Sequence, residues 1–201
     1  MVLEIANVPT HTILIPGSGM TDEEFVRFCE ENAAWRIERD PKGVIIVMTP
    51  SLEDSGARNN TVSGQLYAWA KRDRSGKAMD SSTGYHLPNG ATRCPDASWI
   101  SMDRLKQARE NRVSGFLPAC PEFVVEVRSH TDSLRDLQAK MHEYMECGAQ
   151  LGWLIDPYSR KLFVYRPNHR TKILESPTSI HGDPVLAGFT LDLSDIWDVG
   201  F

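Results

Sequence analysis

"PEFVVEVRSHTDSLRDLQAKMHEYMECGAQLGWLIDP", residues 121–157, is the stretch that decides the fold. It opens on strand-forming residues, continues with apolar side chains at helical spacing, and returns to a strand at "LGWLIDP". A strand, a helix of roughly 15 residues and a second strand form a right-handed crossover, which joins parallel neighbours. The strands holding Glu126 and Leu154 are therefore expected side by side and parallel. The block also poses a chemical question, because a carboxylate stands in the middle of "FVVEV". Alternation puts Phe123, Val125 and Val127 on one face and Val124, Glu126 and Arg128 on the other. Burying an ionised carboxylate costs several kcal/mol unless a cation or hydrogen bonds compensate it. Some partner must face Glu126, and it is either structural or catalytic.

Outward from this block, Thr131 or Asp132 can cap the helix, which carries Leu134, Leu137, Met141, Tyr144 and Met145 and ends at Gly148. After "LGWLIDP", Asp156 starts a turn and "RKLFVYR" reads as a further strand. Toward the N-terminus, "STGYHLPNGATRCPDASWI" reads as two strands joined at Pro88-Asn89-Gly90, followed by a short helix from about Met102 capped by Ser101. A helix over about 57–72 puts Val62, Leu66 and Trp69 on one face. "WRIERDPKGVIIVM" is a hairpin turning at Asp40-Pro41-Lys42-Gly43, and Thr21 with Glu24 forms a capping box for a helix bearing Phe25, Phe28 and Cys29. Residues 1–20 are expected to be extended, broken by Pro9, Pro16, Gly17 and Gly19. The pattern predicts an α/β fold, a single mixed sheet flanked by helices, with residues 21–201 as one domain.

Composition narrows the function classes. The 201 residues are 41% hydrophobic and 24% charged, which suits a folded core. No apolar run reaches the roughly 20 residues that span a bilayer, so no membrane partner is expected. The N-terminus lacks a basic start and apolar run, so a cytoplasmic location is expected. Cys29, Cys94, Cys120 and Cys147 are far apart and form no C-x-x-C pair, which argues against zinc and a disulfide framework. The net charge of −5 means that any nucleic-acid binding must rest on a local basic patch. "KRDRSGK" at 71–77 is the clearest one, and as a solvated helix end it has an ordinary explanation too.

Two carboxylates could carry chemistry. Asp96 opens the strand "PDASWI" and Glu126 lies inside "FVVEV". A strand-borne Asp and Glu converging on one point suit Mg²⁺, which takes one or two carboxylates plus waters and substrate phosphates. Such an ion activates water and neutralises charge on a phosphate. The plainer alternatives are that Asp96 caps a turn and that Glu126 pairs with Arg128. On the next helix, Lys140 and Tyr144 are four apart and share a face. Lys140 either reaches Glu126 or pairs with Asp136 on the surface. Arg128 stays protonated and can hold a phosphate or pair with Glu126. The six histidines are scattered without metal-ligand spacing.

"PDASWI", the block 121–157 and the trailing "KLFVYRP" resemble the bacterial Uma-two family of restriction-endonuclease-like proteins, within the PD-(D/E)XK nuclease superfamily. "WRIERDPKGVIIVMTP" and "GYHLPNG" look like its N-terminal half, so the resemblance covers roughly 22–167. It implies a restriction-endonuclease-like core and a Mg²⁺-dependent (or Mn²⁺-dependent) deoxyribonuclease acting on DNA. Asp96 matches the Asp of the PD motif and Glu126 the acidic position of (D/E)XK, both metal ligands. Arg128 stands where the superfamily has lysine, and Lys140 matches the lysine that takes over that role from the helix. Glu38 matches an acidic position of the first hairpin, whereas Asn59-Asn60 stand where relatives often carry His. The expected partners are DNA and a second copy of the chain, in a homodimer. A rival reading is a catalytically inactive homodimeric binding or regulatory protein on the same fold.

Overall fold

The computed structural model describes residues 11–14, 19–48, 50–112 and 115–200. Of the expected extended segment, residues 1–10 and 15–18 lie outside the described residues, and His11–Leu14 form β1. The chain continues through α1 (Asp22–Glu31), β2 (Arg36–Arg39), β3 (Ile45–Met48), α2 (Glu53–Asp73), β4 (Gly76–Asp80), β5 (Tyr85–His86), β6 (Thr92–Arg93) and β7 (Ala97–Ser101). There follow α3 (Met102–Glu110), β8 (Phe123–Val127), α4 (Leu134–Glu146), β9 (Leu151–Asp156), β10 (Lys161–Tyr165), β11 (Lys172–Glu175), β12 (Ser179–His181), β13 (Thr190–Asp192) and α5 (Ser194–Trp197).

The main sheet has the order β11-β10-β9-β8-β7-β4. Its parallel pair is β8 with β9, Glu126 opposite Leu154, as the crossover requires. The other described pairings of this sheet are antiparallel. The two faces of β8 enter different cores. Phe123, Val125 and Val127 join Trp153, Phe189 and the buried stripe of α2 (Val62, Leu66, Trp69). Val124 joins Met141 and Tyr144 of α4 on the opposite side. Burying each such aliphatic or aromatic side chain contributes roughly 1.5–3 kcal/mol, so slipping β8 by one residue would be prohibitive. Gly152 lets α4 lie close to the sheet: a Cβ there would come within 2.4 Å of Met141 Cε and 3.0 Å of Met145 Cε.

The mixed α/β class with a large mixed sheet flanked by helices is thus present, but the first hairpin is not part of that sheet. It belongs to a second, antiparallel one, β1-β3-β2-β6-β5. Phe25 and Phe28 of α1 cover it by packing on Ile37, Ile45 and Val47. The capping box of α1 forms as expected, Thr21 Oγ1 accepting from Glu24 N–H at 3.2 Å and Glu24 accepting from Thr21 N–H at 2.8 Å. β12 and β13 make a separate two-stranded ribbon.

Three local expectations change. The cap of α4 is Ser133, whose hydroxyl accepts from Asp136 N–H, because Asp132 is drawn back to accept from Ser129 N–H at 2.7 Å. Helix α2 begins at Glu53, four residues before the expected start, without a side-chain cap. The basic run 71–77 is divided, Lys71 and Arg72 ending α2 and Lys77 lying in β4. No helix among the described residues is long and apolar enough to cross a membrane.

Candidate active site

Asp96 immediately precedes β7, and Ala97 pairs with Val125 of β8. Extending that antiparallel register by one residue sets Asp96 opposite Glu126, on the same face. The carboxylate of Asp96 is tied to the neighbouring strand, Oδ2 accepting from Val127 N–H at 2.9 Å. Its other oxygen, Oδ1, takes Arg36 Nη1 at 3.2 Å and Asn59 Nδ2 at 3.4 Å. Asp96 and Glu126 are therefore brought together by neighbouring strands, as the sequence implied.

The partner of Glu126 is Lys140. Its ammonium stands 2.9 Å from Glu126 Oε1 and 2.9 Å from Glu38 Oε1. One turn further along α4, Tyr144 donates its hydroxyl to the same Glu126 oxygen at 3.0 Å. Lysine and tyrosine thus grip a single carboxylate oxygen from one helix face, and Oε2 carries neither bond. The surface alternative for Lys140, a pair with Asp136, is not what the ammonium does. Arg128 is elsewhere: Nη1 lies 3.2 Å from Asp156 Oδ2, and Nε donates to the Asp132 carbonyl at 3.2 Å. The expected alternative of a Glu126–Arg128 pair is replaced by Arg128–Asp156, because Arg128 N–H continues the ladder to the Ile155 carbonyl at 2.9 Å and so sets Arg128 beside Asp156 of β9.

The second sheet contributes residues to the site that no sequence motif marks. Glu38 of β2 is as buried as Glu126, accepting from Cys94 N–H at 2.9 Å and Arg93 Nη1 at 3.2 Å besides Lys140. Arg93 of β6 continues to Glu143 of α4, Nη2 to Oε2 at 2.7 Å. Arg36, also on β2, holds Asp96 and donates Nη2 to the Cys94 carbonyl. The site is a seam where β2 and β6 close over β7, β8 and α4. Neither Arg36 nor Arg93 carries a motif. The signal available was alternation in "RIER", which puts Arg36 and Glu38 on one face.

The charges alternate in two runs, Glu143–Arg93–Glu38–Lys140–Glu126 and Arg36–Asp96, which meet at the two carboxylates Glu126 and Asp96. Four acids face three bases, so the cluster is one positive charge short. Burial pushes Glu38 up, but Lys140, Arg93 and Arg36 outweigh it and hold its carboxyl at about 2. Glu126 bears the deficit. Burial lifts it against the pull of Lys140, Asp96 and Glu38 lift it further, and its carboxyl reaches about 7. Burial alone would lower the Lys140 ammonium, yet Glu126 and Glu38 raise it above the ordinary lysine range. Glu126 and Glu38 thus hold Lys140 in its charged form.

The donor set suits a hard divalent cation. Among the described residues no group of three or more His, Cys, Asp or Glu gathers as metal ligands. Glu38 is neutralised by two cations, Lys140 and Arg93, whereas Asp96 has one cationic partner and Glu126 keeps Oε2 clear of Lys140 and Tyr144, so Asp96 and Glu126 are the pair that could hold an ion. Two carboxylates with waters and a substrate phosphate are a usual set for Mg²⁺. One orphan atom points the same way. Asn59 donates Nδ2 toward Asp96, which fixes its amide orientation, and its Oδ1 is buried without a hydrogen-bond donor. A buried acceptor left over beside a carboxylate is what a cation or its bound water satisfies.

A crossover-built mixed sheet with an Asp before one central strand and a Glu inside its neighbour is the restriction-endonuclease-like class of fold. Within that class, the chain belongs to the Uma2 family, whose model, described as "Putative restriction endonuclease", matches residues 22–194. The fold is similar to a crystal structure from Anabaena variabilis described as a putative nuclease belonging to DUF820. The two superpose with a TM-score of 0.74 at 21% identity, over 89% of this chain and 97% of that one. No curated protein matches the chain.

Proposed function

We propose that this chain is a Mg²⁺-dependent nuclease that hydrolyses phosphodiester bonds in DNA. The observation that carries the reading is the buried convergence of Asp96 and Glu126 from adjacent strands in a cluster one positive charge short. Asp96 and Glu126 Oε2 would hold the ion, with Asn59 Oδ1 on its flank. When bound, Mg²⁺ supplies an activated water and neutralises charge on the scissile phosphate. Lys140, held in its charged form by Glu126 and Glu38, fixes Glu126 and contributes positive charge where negative charge builds up in the transition state. Tyr144 holds the Glu126 rotamer, and Glu38 positions Lys140 while Arg93 braces Glu38. Arg128, neutralised by Asp156, lies outside this constellation, and its proposed phosphate contact depends on release from that carboxylate.

A second reading, a scaffold without turnover, is favoured by one observation: Lys140 pairs with both Glu126 and Glu38 and bridges them directly. Thermal melts separate the two. Ligand at 100 times its Kd stabilises by about 2.7 kcal/mol, which raises the midpoint by several degrees. A nuclease predicts that rise with Mg²⁺ or Mn²⁺ in the wild type and its loss in Asp96→Asn and Glu126→Gln. A midpoint indifferent to saturating metal favours the inert scaffold.

A further inference from the structure

We infer that Arg36 holds the cation's place on Asp96 in the metal-free protein and, once displaced by metal, binds the phosphate of the substrate strand. The inference rests on the metal-dependent reading above. Of the charged side chains in the cluster, Arg36 is the one at the mouth. It is 27% exposed, against 12% for Lys140, 11% for Asp96 and 3% for Glu38 and Glu126. An approaching phosphate meets Arg36 first.

Its bonding is incomplete for a structural arginine. A guanidinium offers five donors in a rigid fork and commonly takes both oxygens of a carboxylate. Here one nitrogen, Nη1, reaches one oxygen of Asp96, Nη2 goes to the Cys94 carbonyl, and Nε is buried with no partner. The Asp96 oxygen it occupies is Oδ1, also the oxygen approached by Asn59. The two side chains that donate to this oxygen thus each keep one buried atom unpaired, a donor on Arg36 (Nε) and an acceptor on Asn59 (Oδ1). A cation bound to Oδ1 satisfies the acceptor. An anion coordinated to that cation satisfies the donor, in the bidentate manner arginine favours with phosphate. A divalent ion and a guanidinium cannot both contact Oδ1 without strong like-charge repulsion, so metal entry releases Arg36 toward the mouth. Two positions along β2, Glu38 remains fixed on Lys140 and Arg93, so the strand stays anchored while the arginine moves.

The test is calorimetric titration of Mn²⁺ into metal-free full-length protein, with Arg36→Ala and Arg36→Gln beside the wild type. Urea unfolding of each variant shows that it is folded, and Arg36→Gln retains a donor for the Cys94 carbonyl. Both variants are expected to bind Mn²⁺ at least about fivefold more tightly, because a competing ion pair is gone. In Ca²⁺, both are expected to bind a DNA duplex more weakly, with the log–log salt slope reduced by about one. Arg36→Lys should restore that slope. Mn²⁺ affinity that is unchanged or weaker in both variants overturns the inference, as does an unchanged salt slope. A wild type that takes up no Mn²⁺ at all overturns the metal-dependent reading, and the inference with it.

Discussion

Replacing Glu126 by Gln should stabilise the metal-free protein at alkaline pH and leave it unchanged in acid. Gln has the shape and neutrality of the protonated acid, so the difference between wild type and variant isolates the charge of Glu126. The carboxyl sits at about 7 in the folded protein, against 4.5 as its ordinary value. A folded-state value raised in this way means the folded form binds the proton more tightly. Its contribution is fully present below pH 4.5 and is lost as pH rises through 7. At roughly 1.4 kcal/mol per unit, the wild type should lose up to about 3 kcal/mol relative to Glu126→Gln between pH 4.5 and 8. Glu38, held at about 2, adds stability that disappears only as pH falls from 4.5 toward 2, outside this window. Urea unfolding at half-unit pH steps in the presence of EDTA measures the difference curve. A curve that is flat, or that shows the variant less stable at pH 8, would refute the charge-deficit reasoning.

Further perturbations separate the parts of the site. Lys140→Ala leaves two buried carboxylates facing each other and should cost about 3–5 kcal/mol in urea unfolding as well as abolishing DNA cleavage. Asp136→Ala should change stability by about 1 kcal/mol or less and leave cleavage intact, and equal effects from the two would return Lys140 to the surface. Asn59→Asp should tighten Mn²⁺ binding by calorimetry, and Asn59→Leu should weaken it. The opposite order would remove Asn59 Oδ1 from the cation's surroundings. Gly152→Ala should cost about 1–3 kcal/mol, because the new methyl meets Met141 and Met145 at the closest approach of α4 to the sheet. A neutral melt would show that α4 can shift without harm.

Much of this was legible because it is local. The crossover in 121–157 announces itself through alternation followed by helical spacing, and the parallel pairing of β8 with β9 follows from chirality. A mid-strand Glu126 demanded a cation, and Lys140 was within reach on the next helix. What escaped was long-range. The Lys140–Glu38 bond spans 102 positions and the Arg36–Asp96 bond 60, and no periodicity links such residues. The second sheet was hidden because its junction rests on very short strands, β2 meeting β6 at Arg39 and Thr92. The cap of α4 was misassigned because three adjacent residues, Thr131, Asp132 and Ser133, could all accept from a helix N-terminus. A local turn claimed Asp132. Strands β11 to β13 are short and mostly exposed, so they lack the apolar alternation that marks β8.

Whether the purified protein cleaves plasmid and single-stranded DNA in Mg²⁺, Mn²⁺ or EDTA decides whether Asp96 and Glu126 form a metal-dependent nuclease site. Cleavage is expected with either metal, none in EDTA, and none from Asp96→Asn or Glu126→Gln under any condition. Cleavage that persists in EDTA or in both variants would contradict that assignment, as would a wild type inert toward every substrate with either metal.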